Sequence, residues 1–168
     1  MFFPKVYESW RNIQRQKYES ILNILGKEFV KNIFSGKRVL DLGIGFGYFE
    51  DFLHENKVKA NIIGLDRDEE AVKRCKVPLV IGNANRLPFK SSAFDILLSI
   101  DSFHSIKSSA FARVLKKRGI ALITMFFDDY NYDKIREEVK EKLFGFEILC
   151  AFEIRAKENE YVVLARKL

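Results

Sequence analysis

Apolar residues recur every three or four positions through the opening of the chain. Val6, Trp10, Ile13, Ile21, Leu25, Phe29 and Ile33 follow that spacing, and Lys17 stands at one position of the same stripe. The spacing predicts helix over 5–34, broken at Gly26, since glycine weakens a helix interior. Short continuous apolar runs then take over: "RVLDLG" (38–43), "ANIIGLD" (60–66), "VPLVIGN" (77–83), "AFDILLSID" (93–101) and "GIALITMFF" (119–127). Runs of this kind suit parallel strands buried on both faces. Between them, helical spacing is read over 48–56, 67–75, 108–119 and 130–143. Near the end, Phe146, Ile148, Cys150, Phe152 and Ile154 alternate with mostly polar neighbours, and "EYVVLARK" follows a short polar turn at 157–159. That is a β-hairpin.

Five strands alternating with helices imply right-handed crossovers and a parallel sheet. The predicted fold is therefore an α/β three-layer sandwich. Its doubly wound, mostly parallel, seven-stranded sheet takes one antiparallel strand from the C-terminal hairpin. With 168 residues, the chain suits one domain with a core of its own. Its expected parts are an N-terminal helical segment (1–34), a central core (37–127) and the hairpin (145–168).

Composition narrows the class. Apolar residues make up 48% of the chain and sixteen residues are phenylalanine, which favours a packed core over disorder. No stretch approaches the roughly 20 apolar residues of a membrane span, and the opening "MFFPKVYESW" has no signal-peptide pattern. The expectation is a cytoplasmic protein without a membrane partner. Cys75 and Cys150 lie far apart and suit small buried hydrophobes; neither a disulfide framework nor a metal site is expected. The formal net charge is +6, with basic residues at Arg11, Arg15 and Lys17, at Lys73, Arg74 and Lys76, and along 115–119. Such clusters fit an acidic partner such as RNA, but the solvated surface of a heat-adapted protein is the preferred reading.

The chemistry sits in "VLDLGIGFGYF" (39–49), where three of the nine glycines fall within five residues. In a doubly wound sheet, ligands bind beyond the carboxyl ends of the strands. Gly43 would allow the turn out of the strand, Gly45 the approach of a ligand, and Gly47 close packing of the following helix. The dinucleotide fingerprint asks for glycine or alanine where Tyr48 stands and has no need of Asp41. An acid there repels a pyrophosphate and suits a cation such as an amino-acid ammonium. Asp66, ending the second strand, can accept both hydroxyls of a ribose. Asn83 and Ala84 can read an adenine edge.

At these residues the chain resembles the class I S-adenosylmethionine-dependent methyltransferases, in particular their small type 11 branch. The resemblance runs from about Arg38 to Phe127. It rests on "VLDLGIGFGYF", "IIGLDRDEEAV", "GNANRLPFKSSAFDILLSID" and "FARVLKKRGIALITMF", in order and at normal spacing. It implies a Rossmann-like methyltransferase fold with S-adenosyl-L-methionine as cofactor. Asp41, Gly43, Ile44, Gly45 and Gly47 would surround the methionine end, Asp66 would hold the ribose, and Arg67 would pack along the adenine. Asn83 and Ala84 would take the adenine amino edge, and Ser99, Ile100 and Asp101 would line the way to the methyl group. Two positions depart from the family. Asn83 stands where an acid is usual, and Arg118-Gly119 replaces proline-glycine.

Methyl transfer from a sulfonium needs no protein nucleophile or metal, and a base only if the acceptor must lose a proton. Asp101 and His104 are the candidate catalytic residues, His104 as base or acceptor-orienting group, with helix capping or packing as its other reading. His54 is expected at the surface. The Asn/Asp-Pro-Pro-aromatic motif of exocyclic-amine enzymes is replaced by "SIDSFH", and no cysteine nucleophile stands there. The acceptor is left open among a small molecule, a protein side chain and another RNA position, and the oligomeric state is also open. A non-catalytic module that binds S-adenosylmethionine and acts through a protein partner is the alternative. With only a short helix after the fifth strand, residues 1–34 would be the substrate lid. Tyr7, Trp10 and Tyr18 on it can pack on a flat acceptor or on the core. Loss of residues 1–18 is expected to leave a folded domain that binds cofactor product but transfers no methyl.

Overall fold

The computed structural model describes residues 10–168. The expectation for Tyr7 lies outside them. Seven strands form one sheet in the order β3-β2-β1-β4-β5-β7-β6. They are β1 Arg38–Leu42, β2 Asn61–Asp66, β3 Leu79–Ile81, β4 Phe94–Ile100, β5 Leu115–Phe127, β6 Phe146–Ile154 and β7 Asn159–Lys167. The pairs from β3 to β5 are parallel, and β7 runs antiparallel between β5 and β6. Chain direction reverses its order at β1 and β4, so the carboxyl ends of those two strands open a crevice where a ligand can lie.

The helices are α1 Arg11–Leu25, α2 Lys27–Phe34, α3 Tyr48–Glu55, α4 Glu69–Val72, α5 Ser108–Val114 and α6 Tyr132–Lys142, with a 3₁₀ turn at Phe103–Ser105. None is long and apolar enough to cross a membrane. Two apolar clusters cover the two faces of the sheet. One joins Leu40, Leu42, Phe94, Leu97 and Ile123 to Phe103, Phe111 and Val139. The other joins Val39, Ile96, Leu98 and Leu122 to Tyr18, Ile21, Leu22, Phe34, Phe49 and Phe52. Gly26 has a φ of +89° and separates α1 from α2 at the expected place.

Three expectations about these elements need correction. The apolar stripe of α1 and α2 is rotated by one residue: Gln14, Lys17, Tyr18, Ile21 and Leu22 are buried in α1 and Val30 and Phe34 in α2, while Trp10 and Phe29 are exposed. The helix expected over 108–119 stops at Val114, because Leu115 already pairs with Phe94 and "LKKRG" enters β5 through an irregular register. Arg118 takes a φ of +63° within that irregularity. In β6 the alternation fails at Ile148, which is exposed, because the register with β7 shifts between Ile148 and Cys150. Cys150 on this edge strand is half-buried, as is Cys75, and both thiols are free.

Candidate active site at the carboxyl edge of the sheet

The glycine loop is built around its own backbone. The N–H groups of Gly43 and Ile44 donate to the Leu65 carbonyl at 2.7 and 3.3 Å, which draws the loop across the end of β2. Gly43 sits at φ +80°, and a Cβ added there would lie 2.5 Å from the Ser102 Cβ. Ser102 is close because its hydroxyl donates to the Leu42 carbonyl and lies 2.7 Å from the Ser99 hydroxyl. The loop after β4 is thereby tied to the end of β1. Gly47 sits at φ +74°, with the Cys75 thiol 2.7 Å from where a Cβ would be. That contact accounts for the half-burial of Cys75.

Two cavities lie along this edge. The larger, about 610 Å³, is lined by Asp66, Arg67, Asn83, Ala84, Asn85, His104 and Ile106. The smaller, about 270 Å³, is lined by Asp41, Ile44, Gly45, Glu50 and Ile100, and is bordered by Trp10, Gln14 and Tyr18 of the opening segment. Gly43, Asp66, Asp101 and Ser102 line both. Of the residues singled out in the sequence, Ser99 and Gly47 line neither; Ser99 is fully buried and positions Ser102. His54 is exposed.

Asp66 projects from the end of β2. Its Oδ2 accepts the Gly45 N–H at 2.9 Å and its Oδ1 accepts the Asp68 N–H at 3.0 Å. A carboxylate has about four acceptor sites, so roughly two remain for a ligand's hydroxyls. Asn83 spends its Oδ1 on the Asn85 N–H at 2.8 Å. Asn85 in turn donates to the Ser105 carbonyl at 2.9 Å and accepts the Lys107 N–H at 2.7 Å. Lys142 donates to the carbonyls of Phe103 and His104 at 2.9 and 3.0 Å. These bonds fix the turn that carries His104, whose side chain is exposed at the rim of the larger cavity.

Asp101 stands at φ +58° and is locked from several sides. Its N–H donates to the Thr124 hydroxyl at 3.0 Å, and that hydroxyl donates back to Oδ1 at 2.8 Å. The buried Lys17 ammonium pairs with Oδ2 of Asp101 and lies 3.3 Å from Oε1 of Glu160. Burial alone would raise the Asp101 pKa, but the Lys17 charge and these hydrogen bonds hold it below the usual carboxylate range. Burial and the neighbouring Asp101 charge push Glu160 up to about 9, so it carries a proton at neutral pH. Asp101 is thus a weak base that anchors α1 to the sheet.

Asp41 and Glu50 form a second acidic group. Both are buried, and Asp41 Oδ1 and both Glu50 carboxyl oxygens have no hydrogen-bond partner among the described residues. Burial, with the nearby Asp66 charge, raises Asp41 to about 6. Burial and the Asp41 charge raise Glu50 well above its ordinary value. The sequence reading missed Glu50, Lys17 and Glu160. Only Lys17 left a signal, as a lysine within an apolar stripe.

A Rossmann-like sheet with an acid-led glycine loop, a strand-end acid at β2 and two adjoining cavities defines a nucleoside-binding transferase class. Residues 40–123 match the methyltransferase domain family, and the chain belongs to that family. It is 32% identical over 134 residues to an uncharacterised protein of Methanocaldococcus jannaschii, covering 74% of this chain and 50% of that one. It is likewise 32% identical over 148 residues to a fatty-acid O-methyltransferase of Mycolicibacterium smegmatis, covering 76% and 54%. The chain therefore spans about half the length of the curated relatives it matches. A S-adenosylmethionine-dependent methyltransferase of Aquifex aeolicus shares the fold over the whole of both chains, with a TM-score of 0.75 at 18% identity. S-Adenosylmethionine is the cofactor that goes with this family, and the residues fit it. A cavity of about 610 Å³ falls in the range of roughly 300–1,000 Å³ that small-ligand sites occupy. Asp66 keeps free acceptor capacity there, and the orphaned oxygens of Asp41 and Glu50 border the space a cationic group would take.

Proposed function

We propose that this domain transfers the methyl group of S-adenosylmethionine, by direct in-line displacement, to an oxygen of a small acceptor with an apolar body. When bound, the cofactor supplies a methyl already activated on a sulfonium. The chain's residues bind, orient and exclude water. Asp66 accepts from the ribose hydroxyls, Asn83 and Ala84 border the adenine, Arg67 packs along it, and the loop 43–47 with Asp41 receives the methionine end. Alignment of this kind can supply most of the acceleration.

The observation that carries the reading is the smaller cavity adjoining the larger, with Gly43, Asp66, Asp101 and Ser102 lining both. One cavity suits the nucleoside, and the other leaves an approach for an acceptor beneath Trp10. The rim there is apolar: Trp10 is exposed, Ile100 lies below, and Tyr18 stacks edge-on against Phe49 at 5.0 Å. The base strength available is low, because Lys17 holds Asp101 ionised and His104 lines the other cavity. An acceptor that is already nucleophilic, such as a carboxylate, needs no strong base. The fatty-acid O-methyltransferase relative points the same way. The basic surface carries less weight as an RNA site. Lys17 is buried, and Lys73, Lys76 and Lys116 pair with Glu70, Asp51 and Asp95.

The test is transfer of labelled methyl from S-adenosylmethionine into a cell extract, which is then divided into organic-soluble, RNA and protein fractions. Label in the organic-soluble fraction is expected. Label confined to RNA or protein overturns the acceptor class. Cofactor binding without turnover on any fraction overturns the enzyme reading in favour of a non-catalytic module.

A further inference from the structure

We propose that Glu50 and Asp41 share one proton in the ligand-free protein, and that the ammonium group at the methionine end of the cofactor displaces it on binding. The inference rests on the cofactor reading above and names what the methionine side of that site does.

Glu50 lies in the first turn of α3 and Asp41 near the end of β1, and both border the smaller cavity. Each is more than nine-tenths buried, at 4% and 2% exposure. Three of their four oxygens have no donor among the described residues. A buried carboxylate without a donor or a cation is costly and takes up a proton instead. Two of them side by side cannot both ionise.

Among the described residues, no neighbouring charge removes the difficulty. From β2, Asp66 adds a further negative charge, and from the segment before β3, Cys75 offers only a thiol whose own ionisation burial disfavours. On α3 itself, Asp51 is paired with Lys76, and Tyr48 lies under the Arg11 guanidinium at 5.5 Å. From α1, Lys17 is committed to Asp101 and Glu160, and Arg15 to Glu19 and Glu55. The Arg74 guanidinium stacks over Phe46 at 5.1 Å. The raised values of both carboxyls agree with this arrangement.

A ligand ammonium entering the smaller cavity changes the balance. It supplies the missing positive charge, so the carboxyl O–H bond breaks, the proton leaves to the buffer, and both carboxylates stay ionised around the cation. Glu50 is therefore a positioning residue whose effect is read in protons, separate from turnover.

The experiment is calorimetric titration of the full chain with S-adenosylhomocysteine at pH 7, in buffers of different ionisation enthalpy. Release of up to one proton per site is expected. Affinity should strengthen by up to about tenfold per pH unit while the free protein holds the proton. Glu50→Gln should abolish the release, flatten the pH dependence and still bind. Asp41→Asn, as a second variant, should do the same with weaker binding. Binding with no buffer dependence, or the same release in Glu50→Gln, overturns the proton linkage alone. Absence of binding at any pH overturns the cofactor reading together with this one, so the two failures are told apart. As a check on the free protein, infrared difference spectra should show a protonated carboxyl at pH 7 that Glu50→Gln removes. Its absence also overturns the proposal.

Discussion

Replacing Lys17 by methionine keeps the length of a side chain that is buried at 5% exposure and removes only its charge. Its two carboxyl neighbours respond differently. Glu160 already carries a proton at neutral pH and loses one donor. Asp101 is ionised and loses its counter-ion, keeping the Thr124 hydroxyl as donor. Breaking a buried pair by removing one partner costs about 3–5 kcal/mol. The Asp101 side chain is 30% exposed, so water can approach it, and the low end of about 3 kcal/mol is the better expectation. For a chain of this length, that corresponds to a fall in melting temperature of roughly 6–12 °C.

Calorimetric unfolding at pH 7 reads the loss, and a second measurement assigns it. In an Asp101→Asn background the same lysine change should cost much less, leaving a coupling of roughly 1–3 kcal/mol. The cost should also shrink toward acid pH, where Asp101 of the variant is protonated in both states. Lys17→Met with a melting temperature within experimental error of the native chain would refute the anchoring role. So would an equal loss with Asp101 and with Asn in its place. The structure also changes what a truncation can test. Residues 1–18 include Lys17 and the buried Tyr18, so their removal strips anchor and core together, and Trp10→Ala is the cleaner probe of the lid.

Asp66→Ala should weaken S-adenosylhomocysteine binding by about 1–3 kcal/mol, or roughly 5- to 150-fold; unchanged affinity by titration calorimetry would remove Asp66 from the site. Gly43→Ala places a Cβ 2.5 Å from that of Ser102 at φ +80°, so a folded chain with displaced residues 43–47 and little ligand binding is expected, at a strain of about 1–3 kcal/mol or more. Native binding and stability in that variant would contradict the loop geometry. The pH dependence has a definite sign. Glu160, with its folded pKa raised to about 9, keeps a proton that the unfolded chain releases above about 4.5, so it lowers stability as pH rises between those values. Melting temperature should therefore fall from pH 6 to 9, and Glu160→Gln should reduce the fall, leaving the share contributed by Glu50 and Asp41; a midpoint rising across that range would falsify the assignment.

The architecture was legible because strand runs and glycine spacing are local signals. "RVLDLG" becomes a strand between two others whatever lies around it, and Gly43 and Gly47 must turn the backbone with positive φ. What escaped was decided by tertiary contact. The α1 stripe was offset by one residue because Gln14 and Lys17 are buried by partners 84 and 143 residues away or by the cavity, and no helical count contains those partners. "LKKRG" has helical composition, yet Leu115 is drawn into β5 by pairing with Phe94. Ser102 carries no local signal, yet it is the tie between β1 and β4. Asp101 was expected at the end of the fourth strand, but its pairing with Lys17, 84 residues away, left no local signal.

Asp41, Glu50, Asp66, Asp101 and Glu160 share the carboxyl edge of the sheet in a chain of net charge +6, and the way each is compensated bears on where a ligand's charge belongs. Asp66 takes two backbone N–H groups, which satisfy a carboxylate without neutralising it. Asp101 takes a lysine. Glu160, at the start of antiparallel β7 and so at the same edge, takes a proton and the far side of that lysine. Among the described residues, Asp41 and Glu50 have neither a cation nor a set of donors, only each other. A purely structural acid at that depth would be expected to have a protein partner, because an uncompensated one costs several kcal/mol of desolvation. On the proposed function, the uncompensated Asp41 would mark the end of the site that receives the ligand's ammonium, the satisfied but still receptive Asp66 the neutral, hydroxyl-bearing part next to it, and the locked Asp101 the side from which the acceptor approaches. The polarity proposed for the cofactor along the edge rests on this order of acids.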